Sequence, residues 1–168
     1  MKNTLLVLLL TLGAGPSLAA PDASKASVKI VDGQLVLPGA ITFEGDTATL
    51  TAASQPALEA LRAYLADRPD VTVLRIEGHV VAGGEAGLMM SGERAFSVGG
   101  WLRDKGIDCK RLLAAAFGDT KPVVARDAAD AAARNTRITL VPAELRGRAI
   151  GGMPVDGGAP LSTNLCPE

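Results

Sequence analysis

The stretch VTVLRIEGHVVAGGEAGLMMSGERAFSVGGWLRDKGI, residues 71–107, changes its hydrophobic period partway along. Its first part sets Val71, Val73 and Arg75 against Thr72, Leu74 and Ile76. That β-branched alternation predicts a well-covered core strand from Val71 to Ile76, with Val73 among its buried residues. From Ser91 to Lys105 the spacing turns helical, with Ala95, Val98 and Leu102 on one side, and Gly106 stands where a left-handed residue ends a helix.

The same alternation continues outward in both directions. Upstream, SQPALEALRAYLADRP (54–69) predicts a helix from Ser54 to Ala66: Ser54 can cap it, Pro56 suits a first turn, Leu58, Leu61 and Leu65 form the inner stripe, and Pro69 closes it. Before that, SVKIVDGQLVLPGAITF (27–43) reads as two short strands around an Asp32-Gly33 turn, then a core strand at Ile41 to Phe43. Downstream, RLLAAAFG (111–118) is extended, DAADAAARN (127–135) is helical, and TRITLVP (136–142) is a strand with Arg137 to Val141 at its core. Strands alternating with helices predict a two-layer α/β sandwich, a mixed sheet with the two main helices on one face. Beyond Pro142 the chain becomes rich in Gly and Pro without period, so residues 143–168 read as a tail.

The first residues, MKNTLLVLLLTLGAGPSLAA, join a lysine, an apolar run and small residues, the plan of a secretory signal peptide. Cleavage after Ala19 is expected, leaving one domain over residues 20–142 followed by the tail. No later run is long and apolar enough to span a bilayer, which needs about 20 residues. The net charge of −1 removes electrostatic grounds for nucleic acid as a partner. In an exported chain, Cys109 and Cys166 read as a disulfide, and their spacing fits no zinc ribbon. No metal or cofactor is expected.

Arg94 is the oddest placement, because a cation in the first turn of a helix opposes the macrodipole at a cost of roughly 0.3–1 kcal/mol. With the free N–H groups of Ser91 to Arg94, its guanidinium forms a receptor for a carboxylate. Alternatively, Arg94 pairs with Glu93 or Glu85, or reaches solvent. His79, the only histidine, follows a strand and precedes Gly83-Gly84. It could serve as a ligand or base, but no partner stands in a recognisable motif with it, and hydrogen bonding to nearby backbone is the expected role.

The run IEGHVV…LMMSGERAFSVGGWLRDKGIDCKRLLAAAFGDTKPV…ARNTRITL resembles the OmpA-like periplasmic domain, whose members read I-x-G-H-T-D-x-x-G, N-x-x-L-S-x-x-R-A, G-I, G-x-G-x-x-x-P and N-R-R-V in that order. The likeness covers about residues 28–141 and implies a βαβαβ module that binds peptidoglycan through the diaminopimelate of the stem peptide. It also implies that the aspartate of G-H-T-D takes the ligand's ammonium and the arginine of R-A its carboxylate. Gly78, His79, Ser91, Arg94, Ala95, Gly106, Ile107, Asn135 and Arg137 match the motifs. The threonine becomes Val80, the aspartate Val81, the asparagine Gly87, the leucine Met90 and the first arginine of N-R-R Thr136. The loop from Val81 to Arg94 is also shorter than the family's.

The anion half of such a site is therefore retained and the cation half is replaced, and an ammonium buried without a partner costs several kcal/mol. Asp46, in a loop that often supplies a polar contact in the family, and Glu85 are the candidates to replace the lost aspartate. Two expectations follow. One is an envelope protein that binds the peptidoglycan stem peptide through a degenerate pocket. The other is a structural or interaction module that meets another envelope protein. The retained residues lack the nucleophile and base of an enzyme.

Overall fold

The computed structural model describes residues 27–167; the expected signal peptide at 1–19 lies outside them. The chain opens with a hairpin of β1 (Lys29–Val31) and β2 (Gln34–Val36), joined through Asp32 and Gly33 at φ 49° and 76°. Two successive positive φ values fit the right-handed twist of a tight hairpin. Leu35 points into the core, while β1 stays exposed.

Ile41 to Phe43 forms no sheet strand. Phe43 makes one isolated bridge to Leu50, and the backbone groups of Thr42 bond to Thr51 and Ser54. The core strand expected there is not formed, because these local partners satisfy the segment's polar groups. For the same reason Ser54 does not cap the next helix: its hydroxyl donates to the Thr42 carbonyl, and α1 begins at Gln55 and runs to Asp67. Leu58, Leu61 and Leu65 are fully buried on its inner side, as the periodicity predicts.

β3 (Val71–His79), α2 (Gly84–Asp104) and β4 (Leu112–Gly118) follow as a parallel crossover unit. α3 (Ala131–Asn135) is a single short helix leading into β5 (Arg137–Leu145), which pairs antiparallel with β3. β6 (Arg148–Ala149) and β7 (Leu161–Asn164) complete a five-stranded mixed sheet in the order β6-β5-β3-β4-β7. Both main helices pack on one face in a core that joins Leu61, Leu65, Val98 and Leu102 to Leu74, Ile76, Leu112 and Leu140. This is the two-layer α/β sandwich expected.

Register corrects one core residue. The pairing of β3 with β5 shifts between Val71 and Leu74, so Val71, Leu74 and Ile76 are buried under the helices and Val73 is half-buried on the opposite face. Arg75, Glu77 and His79, also on that opposite face, are buried all the same.

The Gly/Pro-rich segment is built into the fold. β5 runs past Pro142 to Leu145, and β7 pairs antiparallel with β4 along Leu113 to Ala116. Leu165 enters the core at 1% exposure against Gly99, where any Cβ would overlap it. Cys109 and Cys166 are joined, with S–S 2.09 Å, which fixes the end of the chain beside the turn after α2. Among the described residues no helix is long and apolar enough to cross a membrane.

Candidate functional site

The loop after β3 and the loop before α1 meet over α2. α2 starts at Gly84, seven residues before the position its apolar spacing predicts, because Ala86, Gly87, Leu88 and Met90 carry no clear stripe yet still propagate the helix. Arg94 therefore lies in mid-helix, and the N–H groups of Ser91 to Arg94 are spent inside it. The helix-terminus receptor expected around Arg94 is not assembled.

Arg94 is instead a buried brace, 7% exposed. Its Nε donates to the Thr47 carbonyl at 2.8 Å and Nη2 to the Gly45 carbonyl at 2.9 Å, and the guanidinium lies 4.9 Å over the Phe43 ring. Neither Glu85 nor Glu93 pairs with it, and no carboxylate lies within 4 Å among the described residues. The two carbonyls flank Asp46, so the arginine fixes the loop that presents this exposed carboxylate.

Asp46, Val81, Arg94 and Thr136 line one cleft of about 290 Å³ together with Val80, Ala82, Ala86, Gly87 and Met90. Val81 is 45% exposed there. The shortened loop is seated by Gly87, since a Cβ at that position would overlap the Ala82 carbonyl oxygen. The structure thus brings Asp46 and Arg94 to one cleft and leaves Glu85 off its wall.

His79 lies in the wall of a neighbouring cleft of about 240 Å³, with Ile41, Thr42, Phe43, Gly45, Arg94, Thr136 and Arg137. Its expected hydrogen bond to backbone is not made. The ring stacks on Phe117 at 5.3 Å, and neither nitrogen has a hydrogen-bond partner. Glu77 Oε2 stands 3.4 Å from Nε2, close enough for attraction but poorly aligned, while Glu77 Oε1 pairs with Arg75 at 2.7 Å. Burial lowers the His79 pKa below 6.5 against a smaller opposing pull from Glu77, so the ring is neutral at neutral pH. Burial resists ionisation of Glu77, but His79 and Arg75 outweigh it and hold the carboxyl below its ordinary range.

Two other motif residues are structural. The buried Ser91 hydroxyl donates to the Leu88 carbonyl and accepts from Gly118 N–H, tying α2 to the end of β4. Asn135 accepts from Val123 and Val124 N–H and donates to the Val124 carbonyl, which pins the loop before α3. The reading from residue types missed the joint placement of Arg137, Thr136 and Phe43 around Arg94, because these residues are far apart in sequence. A larger cleft of about 610 Å³ between α2 and β7 has mainly apolar walls with Glu93 as its single charge, and brings no such groups together. Among the described residues no cluster of His, Cys, Asp or Glu could hold a metal ion.

Fold and site together define a mixed-sheet domain with a small cleft beyond the end of β3, in which Asp46, Arg94 and Thr136 are the polar groups among apolar walls. A family profile described as the OmpA family matches residues 42–136, more than half of the chain, and the chain belongs to that family. It is 30% identical over 108 residues to the probable lipoprotein YiaD of Escherichia coli (strain K12), covering 63% of this chain and 49% of that protein. The chain thus spans about half the length of this curated relative. Among solved structures it is similar to the peptidoglycan-associated lipoprotein from Burkholderia pseudomallei, with TM-score 0.55, 25% identity, and coverage of 61% of this chain and 88% of that one. It is also similar to the cell wall anchor of the T6SS from Pseudomonas aeruginosa, with TM-score 0.51, 25% identity, and coverage of 58% and 71%.

Proposed function

We propose that this chain is a non-enzymatic, exported protein of the cell envelope, acting in the periplasm at the outer membrane, whose cleft takes the peptidoglycan stem peptide through a degenerate diaminopimelate pocket. The observation that carries this reading is the lining of that cleft: Arg94 and Asp46 share it with Val81, which stands where the family resemblance puts an ammonium-binding aspartate. The names of two similar structures, a peptidoglycan-associated lipoprotein and a cell wall anchor, support the ligand class.

In this reading the remaining N–H groups of Arg94 receive a carboxylate of the ligand, since its five N–H groups exceed the two used on the loop. Asp46, braced on both sides by Arg94, faces the ammonium in place of the missing aspartate. Because Asp46 is exposed, its attraction is screened and worth only about 0–1 kcal/mol, so binding is weak. A second reading, an interaction module that no longer binds peptidoglycan and meets another envelope protein, is favoured by one fact: bracing the 45–47 loop gives Arg94 a role that needs no ligand.

Retention on purified cell-wall sacculi tests the proposal. Wild type should be held weakly, Arg94→Ala should be lost to the supernatant, and Val81→Asp should be held more firmly. Equal retention of wild type and Arg94→Ala would put the site elsewhere. No retention of wild type or Val81→Asp would favour the interaction module.

A further inference from the structure

We propose that the outer face of α2 is the surface through which two copies of this chain pair, α2 against α2 in antiparallel orientation about a twofold axis near Val98.

The sheet leaves a strip uncovered for this. A packed helix takes about 10 Å and a strand about 4.8 Å, so two helices cover about four strands. The sheet has five, in the order β6-β5-β3-β4-β7, and the helix layer ends at α2, so every residue of β7 is exposed. The uncovered strip is the cleft of about 610 Å³ between α2 and β7, and a second cleft of about 540 Å³ continues it over the helix to Trp101. Met89, Phe96 and Leu161 stand in the walls of the first, 51%, 44% and 48% exposed.

α2 carries two stripes. Ser91, Ala95, Val98 and Leu102 are buried toward the sheet. Beside them Met89, Glu93, Phe96, Gly100 and Arg103 recur at alternating steps of four and three residues, the spacing with which one helix packs along another. Packing within one copy does not account for this second stripe. Gly100 lies in mid-helix, where glycine is destabilising relative to alanine, yet an added Cβ would meet nothing within 4 Å.

The stripe is complementary to itself. Phe96 lies two residues before Val98 and Gly100 two after, and Glu93 lies five before and Arg103 five after. Antiparallel helices with their symmetry axis at Val98 therefore set each Phe96 into the gap at the partner's Gly100 and each Glu93 against the partner's Arg103. Both contacts occur twice, as a twofold interface requires. A parallel pair would set like charges against each other. Both charges are available: among the described residues Glu93 has no cation within 4 Å, and Arg103 pairs only with its exposed neighbour Asp104 and touches the Leu165 carbonyl at 3.4 Å. Pairing also carries two stem-peptide clefts on one particle, so that a polymeric wall engages the second cleft intramolecularly. That use rests on the proposed function, whereas the pairing itself does not.

Analytical sedimentation of the oxidised chain, with no ligand present, tests the pairing. Wild type should be a dimer at micromolar concentrations. Glu93→Arg and Arg103→Glu should each weaken pairing about tenfold or more, since each sets two like-charge pairs in the interface. Mixed in equal amounts, these two variants should form a heterodimer, because every facing pair is then opposite in charge, and the same result shows that both are folded. Gly100→Gln, which fills the gap, should weaken pairing to a similar degree. Glu59→Arg, on α1 and away from β7, should change nothing.

A wild type that stays monomeric up to about 1 mM, the weak end of specific association, would overturn the proposal and leave this face to a different protein. A wild-type dimer that all three variants leave intact would overturn it as well, as would a mixture of the two charge variants that stays monomeric while each keeps the far-ultraviolet spectrum of wild type. Sedimentation reads the dimer without the wall, so the pairing and the stem-peptide reading can fail separately.

Discussion

The two halves of α2 are held by different forces. From Val98 to Leu102 its inward side chains meet Ile76, Leu165 and the α1 leucines in a close-packed core, and a disulfide closes the chain end nearby. From Gly87 to Arg94 the same helix contacts backbone instead: Gly87 admits the Ala82 carbonyl, Ser91 binds Gly118, and Arg94 holds Gly45 and Thr47. Apolar packing, with Leu165 filling the gap at Gly99, fixes the first half, whereas hydrogen bonds to backbone and the close approach at Gly87 fix the second. That contrast puts the apolar core at one end of the helix and the proposed recognition cleft at the other.

The largest effect should come from opening the disulfide. Its partners are 57 residues apart, and the chain-entropy model gives about 4 kcal/mol for a loop of that order. Denaturant unfolding of Cys109→Ser/Cys166→Ser against wild type should show a loss of that size. A loss under about 1 kcal/mol would mean that the tail is held by packing alone. Thiol titration of the unfolded, unreduced chain should find no free thiol.

Next in size, Leu165→Ala should cost about 3 kcal/mol, as other fully buried leucines do. An effect near zero would show that the tail does not seal the core. Glycines divide the helix more finely. Gly87→Ala should cost about 1–3 kcal/mol by driving the 80–83 loop off the helix, whereas Gly100→Ala, with nothing within 4 Å of its added methyl, should stabilise by about 0.5–1 kcal/mol. If both variants behaved alike, the two halves would not differ in the way described.

The smallest effect is in pH. Because the folded pKa of His79 lies below its ordinary 6.5, the unfolded chain takes up the proton first. Stability should be full above pH 6.5 and fall as pH drops below it, by at most about 1.4 kcal/mol per unit. Glu77, whose carboxyl is also held low, should add a further loss below about pH 4.5. His79→Phe, which keeps a ring against Phe117, should remove the first decline and shrink the second, because His79 is one of the groups that hold the Glu77 carboxyl low.

This division also decides what the sequence reveals. The core half of α2, the leucines of α1 and the strands Val71–Ile76 and Arg137–Val141 are legible because apolar period records burial directly. The start of α2 is not legible, since Ala, Gly and Met propagate a helix without marking a face, and so Arg94 looks terminal when it is central. The bulge that turns Val73 away from the core leaves no compositional trace. Residues 143–167 read as a tail because β6 and β7 are short and largely exposed, and only Cys166 hints that the end is anchored. At the proposed site, the motif resemblance points to Arg94 and to Val81 in the place of an aspartate. That Arg94 clamps the carbonyls on both sides of Asp46 depends on a contact across 47 residues, which spacing alone does not encode.

Calorimetry with a diaminopimelate-containing stem peptide tests the central claim most directly. Wild type should bind weakly, and Arg94→Ala should bind less because the brace on Asp46 and the remaining guanidinium donors go together. Val81→Asp should gain at least about 1 kcal/mol, as a charge-assisted hydrogen bond to the ammonium contributes about 1.5–3 kcal/mol. Tight binding by wild type that Arg94→Ala leaves unchanged would contradict the account.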